Sequence, residues 1–250
     1  MPKEKKFSTK DFDFGFERVS AQEKTGKVTD VFERVASHYD MMNDLMSLGL
    51  HRLWKRKFVE SLPIHHNGVY LDVAGGTGDI AQAIFTRLNR FKCPAQIIVS
   101  DINPAMIEKG KMRHPHLSWL CSNAEDLPLD GNSVDVYTIA FGLRNVTYRE
   151  KALQEAYRLL KPGGKFSCLE FSQVNSSLEK LYDFYAFHII PKMGEWVAHD
   201  REAYQYLSES IRTFLTKKEL LVLMKKVGFE KASYETYTGG IVALHHGYKL

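Results

Sequence analysis

Leu71-Asp72-Val73-Ala74-Gly75-Gly76-Thr77-Gly78-Asp79 is an apolar run that ends in a glycine-rich turn, and its reading decides the fold. Val69 to Val73 has the character of a short buried strand, and Gly78 to Leu88 carries apolar residues at helical spacing. Strand, glycine loop and helix in that order build a ligand cradle. Glycines permit the tight turn and let a bound molecule come close to the backbone.

Outward from this loop the chain alternates. Ala95 to Ser100, Leu117 to Cys121, Val134 to Phe141 and Lys165 to Phe171 read as strands. Between them lie helical segments Pro104 to Met112, capped by Asn103 with Pro104 near its first position, and Lys151 to Leu160, stopped by Lys161-Pro162-Gly163-Gly164. Alternation of this kind implies a mainly parallel sheet with right-handed crossovers. The end differs: helical Lys217 to Val227 precedes Ala232 to Tyr237 and Ile241 to Tyr248, which flank Thr238-Gly239-Gly240 as an antiparallel hairpin. A hairpin closing a parallel sheet separates methyltransferases from dehydrogenases of similar architecture. Before the loop, Lys27 to Val59 is helical with a break at Asn43 to Gly49, and Met1 to Asp13 reads as a mobile tail. The expected division is 1–60 as N-terminal tail and helical lid, and 61–250 as one catalytic domain.

The loop is acidic at both edges. Asp72 and Asp79 would repel a pyrophosphate, whereas S-adenosylmethionine carries an ammonium and a sulfonium and no phosphate. Gly76-Thr77-Gly78-Asp79-Ile80-Ala81 nevertheless also fits G-x-G-x-x-A, the dinucleotide fingerprint, so a nicotinamide or flavin cofactor stays open on the loop alone. Asp101 closes the second strand, where a carboxylate accepts hydrogen bonds from both ribose hydroxyls of either cofactor. Asn123 and Ala124 follow the third strand, one to meet an adenine amino group and the other leaving room for the ring. Asp72, Gly76, Thr77, Asp101, Asn123 and Ala124 together favour S-adenosylmethionine.

The 250 residues suit one α/β domain with decorations. A net charge of +4 is too small to argue for nucleic acid, and no Asn-Pro-Pro-Tyr-like or Pro-Cys motif appears. Cys93, Cys121 and Cys168 form no CxxC pair, and His65-His66 and His245-His246 find no third ligand, so no disulfide or metal site is expected. No apolar run reaches the roughly 20 residues that span a bilayer. The Lys-based opening lacks an apolar segment and an Arg-rich presequence, which points to a bacterial protein of the cytoplasm.

Beyond the loop, several motifs carry a family resemblance. They are Asp101-Ile102-Asn103, Asn123-Ala124-Glu125, Phe141-Gly142-Leu143-Arg144-Asn145-Val146 and Tyr157-Arg158-Leu159-Leu160-Lys161-Pro162-Gly163-Gly164. With them go Val35-Ala36-Ser37-His38-Tyr39-Asp40, Met42 to Ser47, His51-Arg52-Leu53-Trp54-Lys55, Leu169 to Ser172, Tyr204 to Arg212 and Gly240 to His245. Together they resemble the UbiE family of quinone-biosynthesis C-methyltransferases, from Phe14 to Leu250. The resemblance implies a Rossmann-like class I S-adenosylmethionine-dependent methyltransferase. Its sheet would be seven-stranded, mainly parallel, ending in an antiparallel hairpin and covered by an N-terminal helical lid. It implies methyl transfer to a ring carbon of a 2-methoxy-6-polyprenyl-1,4-benzoquinol, with demethylmenaquinol as a second substrate. Thr77, Asp101, Asn123 and Ala124 fall on the family's cofactor contacts. Ala140 stands where some members carry Ser, so a hydroxyl contact is missing there. Another phenolic acceptor, or a scaffold that binds the cofactor without turnover, would fit the same loop.

An aromatic carbon becomes nucleophilic when a neighbouring hydroxyl loses its proton. Arg144 and Asn145 follow the fourth strand, where acceptors sit in this architecture, and are the expected catalytic pair. Arg144 would stabilise the phenolate or hold a relay water and Asn145 orient the hydroxyl; pairing of Arg144 with Glu170 or Asp126 is the structural alternative. His51 is a candidate base by its near-neutral pKa, or a packed helix residue. Leu181 to Pro191 is aromatic-rich, with Tyr182, Tyr185 and Ile189 on one face and Leu181, Phe184, Phe187 and His188 on another. It reads as a buried helix, a dimer face, a wall for an isoprenoid tail or a patch on the membrane. Lys55, Arg56 and Lys57 could add attraction to anionic lipid. Partners expected are thus a polyprenylated quinol and no nucleic acid, with the inner membrane surface, a second copy or a quinone-synthesis complex open.

Overall fold

The computed structural model describes residues 12–35, 49–174, 183–192 and 200–250, with Asp44, Ser47 and Glu195. Most of Val35 to Asp40 and Met42 to Ser47, together with Leu181 and Tyr182, lies outside the described residues.

Seven strands form one sheet: β3 (Gly68–Val73), β4 (Ala95–Asp101), β5 (Ser118–Cys121), β6 (Val134–Ala140), β7 (Leu160–Phe171), β8 (Glu230–Tyr237) and β9 (Val242–Tyr248). Their order is β5-β4-β3-β6-β7-β9-β8. The first five pair in parallel, and β9 pairs antiparallel with both β7 and β8. The mainly parallel sheet closed by a hairpin is thus as expected. A small hairpin, β1 (Phe12–Phe14) with β2 (Glu17–Val19), precedes the sheet. Phe12 and Asp13, expected in a mobile tail, are therefore strand residues. Their order comes from contacts remote in sequence: Phe14 stacks on Tyr206 with centroids 4.2 Å apart, and Glu209 accepts from the Phe16 N–H at 3.1 Å.

Both sheet faces are apolar, as parallel strands require. Tyr70, Val136, Leu169 and Phe171 point to one side; Leu71, Val73, Tyr137, Ile139, Phe166 and Cys168 point to the other. The first side is covered by α1 (Ala21–Val35), α2 (Leu50–Glu60), α3 (Asp79–Arg90) and α6 (Arg201–Thr213), and the second by α5 (Arg149–Leu159) and α7 (Lys217–Val227). Helix α4 (Pro104–Arg113) follows β4. Trp54 and Phe58 of α2 are fully buried in the first cluster. Each such side chain contributes up to about 3 kcal/mol by burial, so α2 is anchored in the core.

Local signals set the helix ends. Asn103 accepts from the Ala105 and Met106 N–H groups, with Pro104 in the first turn. Thr216 and Glu219 close a capping box on α7, and Gly228 ends it at φ 118°. Lys161-Pro162-Gly163-Gly164 does stop α5, but it belongs to the strand that follows. Leu160 pairs with Val134 and Lys165 with Val136, so the intervening residues bulge, and the Gly164 carbonyl accepts from the Lys249 N–H at 3.1 Å.

Candidate functional site

The chain leaves β3, builds β4 and β5 on one side, then returns to lay β6 on the other. A crevice opens at that reversal, outside the carboxyl ends of β3 and β6. Both strands leave it under strain. Ala74 after β3 has φ 52° and Phe141 after β6 has φ 56°, left-handed values that cost a non-glycine residue of order 1–2 kcal/mol. Gly142 packs so closely that a Cβ there would lie 2.5 Å from Ala74 Cβ. Gly76, at φ 57°, has nothing within 4 Å of where its Cβ would be, so its backbone faces open space.

Two adjoining cavities occupy this crevice. The larger, about 850 Å³, is lined by Gly76, Asp101, Asn103, Met106, Asn123, Ala124, Phe141, Gly142, Asn145 and Thr147, with Thr25, Val28, Thr29 and Phe32 of α1 across from them. The smaller, about 350 Å³, is lined by Lys55, Asp72, Ala74, Gly75, Thr77, Asp79, Ala140 and Phe141. All six residues expected at the cofactor are brought to these two spaces, with Ala74 and Phe141 between them. No helix among the described residues is long and apolar enough to cross a membrane. Nor does any group of three His, Cys, Asp or Glu among them suit a metal ion.

The electrostatics are acidic and incompletely compensated. Asp72 is buried; Thr138 donates to its Oδ1 at 2.8 Å, and among the described residues Oδ2 has no partner of full hydrogen-bond geometry, the Ala81 N–H lying nearby. Burial pushes its carboxyl up to about 7, against the pull of the Thr138 hydroxyl. Asp101 accepts from Gly76 N–H at 2.8 Å and Asn103 N–H at 2.9 Å, fixing the loop to the end of β4. Burial raises its pKa while those bonds lower it. Burial would raise Asp79 as well, but the Lys55 ammonium 3.0 Å away brings it below its usual value.

A small ligand with a cationic amino-acid head fits this donor set. An orphaned buried carboxylate oxygen lies under a glycine loop, and a second carboxylate stands at the next strand end. Asn123 spends its Oδ1 on the Glu125 N–H at 3.0 Å, shaping the turn that brings buried Ala124 to the cavity.

Arg144 and Asn145 sit in the 3₁₀ turn Leu143–Asn145 and separate in role. Asn145 lines the larger cavity. Arg144 does not: it is buried, and its Nη1 donates to Glu170 Oε1 at 2.9 Å and to the Phe141 carbonyl. The backbone N–H of Arg144 reaches Glu170 Oε2 at 3.2 Å, and its guanidinium lies over the Phe171 ring. Of the two expectations for Arg144, the geometry shows the Glu170 pairing, with its donors holding the strained Phe141 turn from behind.

His51 is buried and bonded through Nδ1 to Ser47 Oγ at 2.9 Å, and burial lowers its pKa. It lines neither cavity, which matches the packed-residue reading. The basic triplet is engaged with protein: Lys55 with Asp79, Arg56 with Glu60, and Lys57 over the Tyr237 ring.

Two residues escaped sequence reasoning. Lys24 is 1 % exposed, donates to the Val146 carbonyl at 3.4 Å, and is lowered to about 8 by burial and by Arg149. Its signal was present, since Lys24, Val28 and Val31 share one helical stripe. Tyr206 donates to Asn145 Oδ1 at 3.0 Å across 61 residues, which no local pattern announces.

Residues 19–249 match the profile of the ubiE/COQ5 methyltransferase family. The chain is 47% identical to the mitochondrial 2-methoxy-6-polyprenyl-1,4-benzoquinol methylase of Bos taurus, over 95% of this chain and 83% of that protein. It is also 47% identical to the ubiquinone/menaquinone biosynthesis C-methyltransferase UbiE of Idiomarina loihiensis, over 95% of this chain and 96% of that one. Among solved structures it resembles an S-adenosylmethionine-dependent methyltransferase from Thermotoga maritima, described as a possible histamine N-methyltransferase. That match has a TM-score of 0.61 at 23% identity, over 88% of this chain and 99% of the other, and speaks to the fold.

Proposed function

The chain belongs to the ubiE/COQ5 methyltransferase family and is an S-adenosylmethionine-dependent C-methyltransferase, and from that premise we propose that it methylates a ring carbon of a 2-methoxy-6-polyprenyl-1,4-benzoquinol. Demethylmenaquinol is the second acceptor in this reading, from the menaquinone in the bacterial relative's name. The observation that carries the proposal is the 47% identity to a benzoquinol methylase over nearly the whole chain.

When bound, S-adenosylmethionine supplies the methyl group on a sulfonium. Asp72, Gly76, Thr77, Asp101, Asn123 and Ala124 would hold it. Asp101 keeps lone pairs for ribose hydroxyls beyond the two backbone bonds it accepts, and Asp72 Oδ2 offers charge to the cationic head. Phe141 stands where the two cavities meet, with Asn145 beside it in the larger one. Asn145 would contact a ring hydroxyl there, and α1 would keep water off the reacting carbon. Arg144 would act at one remove, holding the turn through Glu170.

The acceptor's isoprenoid tail makes peripheral membrane contact the natural mode of supply, and we include it in the proposal. Phe16 and Phe184 are 60% and 57% exposed, and Phe187 stacks near Phe16 with centroids 6.0 Å apart. A variant with Phe184→Ser and Phe187→Ser should float less with anionic liposomes than the parent; equal flotation rejects this element. The central test is an assay with methyl-labelled S-adenosylmethionine and short-tailed demethyl benzoquinol and naphthoquinol side by side. Label on a ring carbon is expected; product from neither quinol, or label on oxygen, would sink the reading.

A further inference from the structure

Asn145 carries one amide oxygen and one amide nitrogen, and only one of them can serve the acceptor. Its Oδ1 accepts from the Tyr206 hydroxyl at 3.0 Å. Among the described residues no acceptor is recorded for its Nδ2, and the side chain borders the larger cavity. Tyr206 is itself held: it is 7% exposed, its ring stacks on Phe14 at 4.2 Å, and it rises from α6, whose Glu209 also binds the Phe16 N–H. In this arrangement the phenol proton is spent on the Asn145 carbonyl oxygen, and turning the amide over would exchange that donation for an N–H to the phenol oxygen and release the proton from its acceptor.

We propose that Tyr206 is a positioning residue for the methyl transfer: by occupying the Asn145 carbonyl oxygen it commits the Asn145 amide nitrogen to the acceptor as a hydrogen-bond donor. This rests on the quinol reading above and deepens it. A donor at that position stabilises the quinol oxygen as its proton leaves, when negative charge builds on oxygen and ring carbon together. The same geometry excludes Asn145 as a proton acceptor. It also ties catalysis to the N-terminal hairpin, because Phe14 fixes the ring that fixes the amide.

Two substitutions in the full-length chain test this, assayed with methyl-labelled S-adenosylmethionine and a short-tailed demethyl benzoquinol. Tyr206→Phe keeps the ring and its stacking and removes the donor; kcat should fall about tenfold, the worth of one positioning hydrogen bond. KM, cofactor affinity and melting temperature should change little. Asn145→Asp keeps the shape and still accepts from Tyr206, but presents an acceptor where a donor is needed. It should lose more than Asn145→Ala near neutral pH and recover as the pH falls and the new carboxyl protonates. In the double variant Tyr206→Phe/Asn145→Ala, the loss should equal that of Asn145→Ala alone. Unchanged kcat in Tyr206→Phe, or additive losses in the double variant, would overturn the proposal. If Tyr206→Phe fails to fold, Asn145→Asp decides alone, and activity at or above that of Asn145→Ala across the pH range counts against it. A wild-type enzyme inactive on every quinol defeats the underlying reading instead; an active one with insensitive variants defeats only this inference.

Discussion

Asp72 and Arg144 are both buried charged residues, and their surroundings divide their roles. Asp72 has one oxygen bonded to Thr138 and one without a hydrogen-bond partner among the described residues, and burial raises its pKa to about 7. The protonated form cannot attract a cation, so cofactor affinity should weaken as the pH falls below about 7. Binding near neutrality should release a proton, seen as buffer-dependent heats in calorimetry. Asp72→Asn should flatten the dependence; a pH profile as steep as the parent's would remove Asp72 from the site. Arg144 is instead paired with Glu170 at 2.9 Å, though among the described residues its Nε has no hydrogen-bond partner. Arg144→Ala leaves that buried carboxylate without its counter-charge, held only by the Arg144 and Phe171 backbone N–H groups, which costs about 3–5 kcal/mol. Denaturant unfolding should show this loss, and Arg144→Met with Glu170→Leu should recover most of it. Recovery of stability without turnover would return Arg144 to the chemistry; recovery of both would confirm a clamp.

Among the elements, helix α4 meets strand β5 through a contact the sequence conceals. Gly110 sits in the helix where glycine costs about 1 kcal/mol against alanine. A Cβ there would lie 2.0 Å from the Trp119 ring, and at Gly78 it would lie 2.7 Å from the same ring. The indole thus packs between the first residues of the cofactor loop's helix and the middle of the next one. Gly110→Ala should destabilise by about 1–3 kcal/mol through overpacking despite its better propensity, a shift measurable in the urea midpoint. A stabilised variant would mean that the ring moves freely. The element reading from sequence was sound wherever the signal was local: the Asn103 cap, the end of α7 and the hairpin at Thr238-Gly239-Gly240. It missed β1, β2 and α6, whose order or burial comes from partners far along the chain.

Over the whole molecule, acid stability offers a test of how the antiparallel strands are seated. His245 in β9 is buried, donates from Nε2 to the Lys217 carbonyl at 2.8 Å, and has no partner for Nδ1 among the described residues. A second proton would have to enter that dry side, and burial lowers its pKa from 6.5 to about 4. The unfolded chain therefore binds a proton below about pH 6.5 that the native chain refuses until about pH 4. Stability should fall across that window, by up to about 3 kcal/mol, and level below it. His245→Gln, which keeps a donor and does not titrate, should shrink the drop between pH 7 and pH 5 in denaturant titrations. An unchanged drop would assign acid sensitivity to other groups.

The sequence by itself determined what depends on a few adjacent residues. Apolar runs and the glycine loop made the parallel sheet and the cofactor crevice legible, because backbone geometry and sheet faces are encoded locally. Asp72, Gly76, Thr77, Asp101, Asn123 and Ala124 could be expected at the crevice they line because each closes or follows a strand, and strand ends converge there. Tertiary structure alone decided which polar groups were already spoken for. Arg144 reaches Glu170 across 26 residues, Asn145 reaches Tyr206 across 61, and Lys24 reaches Val146 across 122. Such pairings follow from strand order and helix placement, which no short segment records. They set Arg144 behind the wall, bonded to Glu170, and leave its neighbour Asn145 on the cavity, bonded to Tyr206.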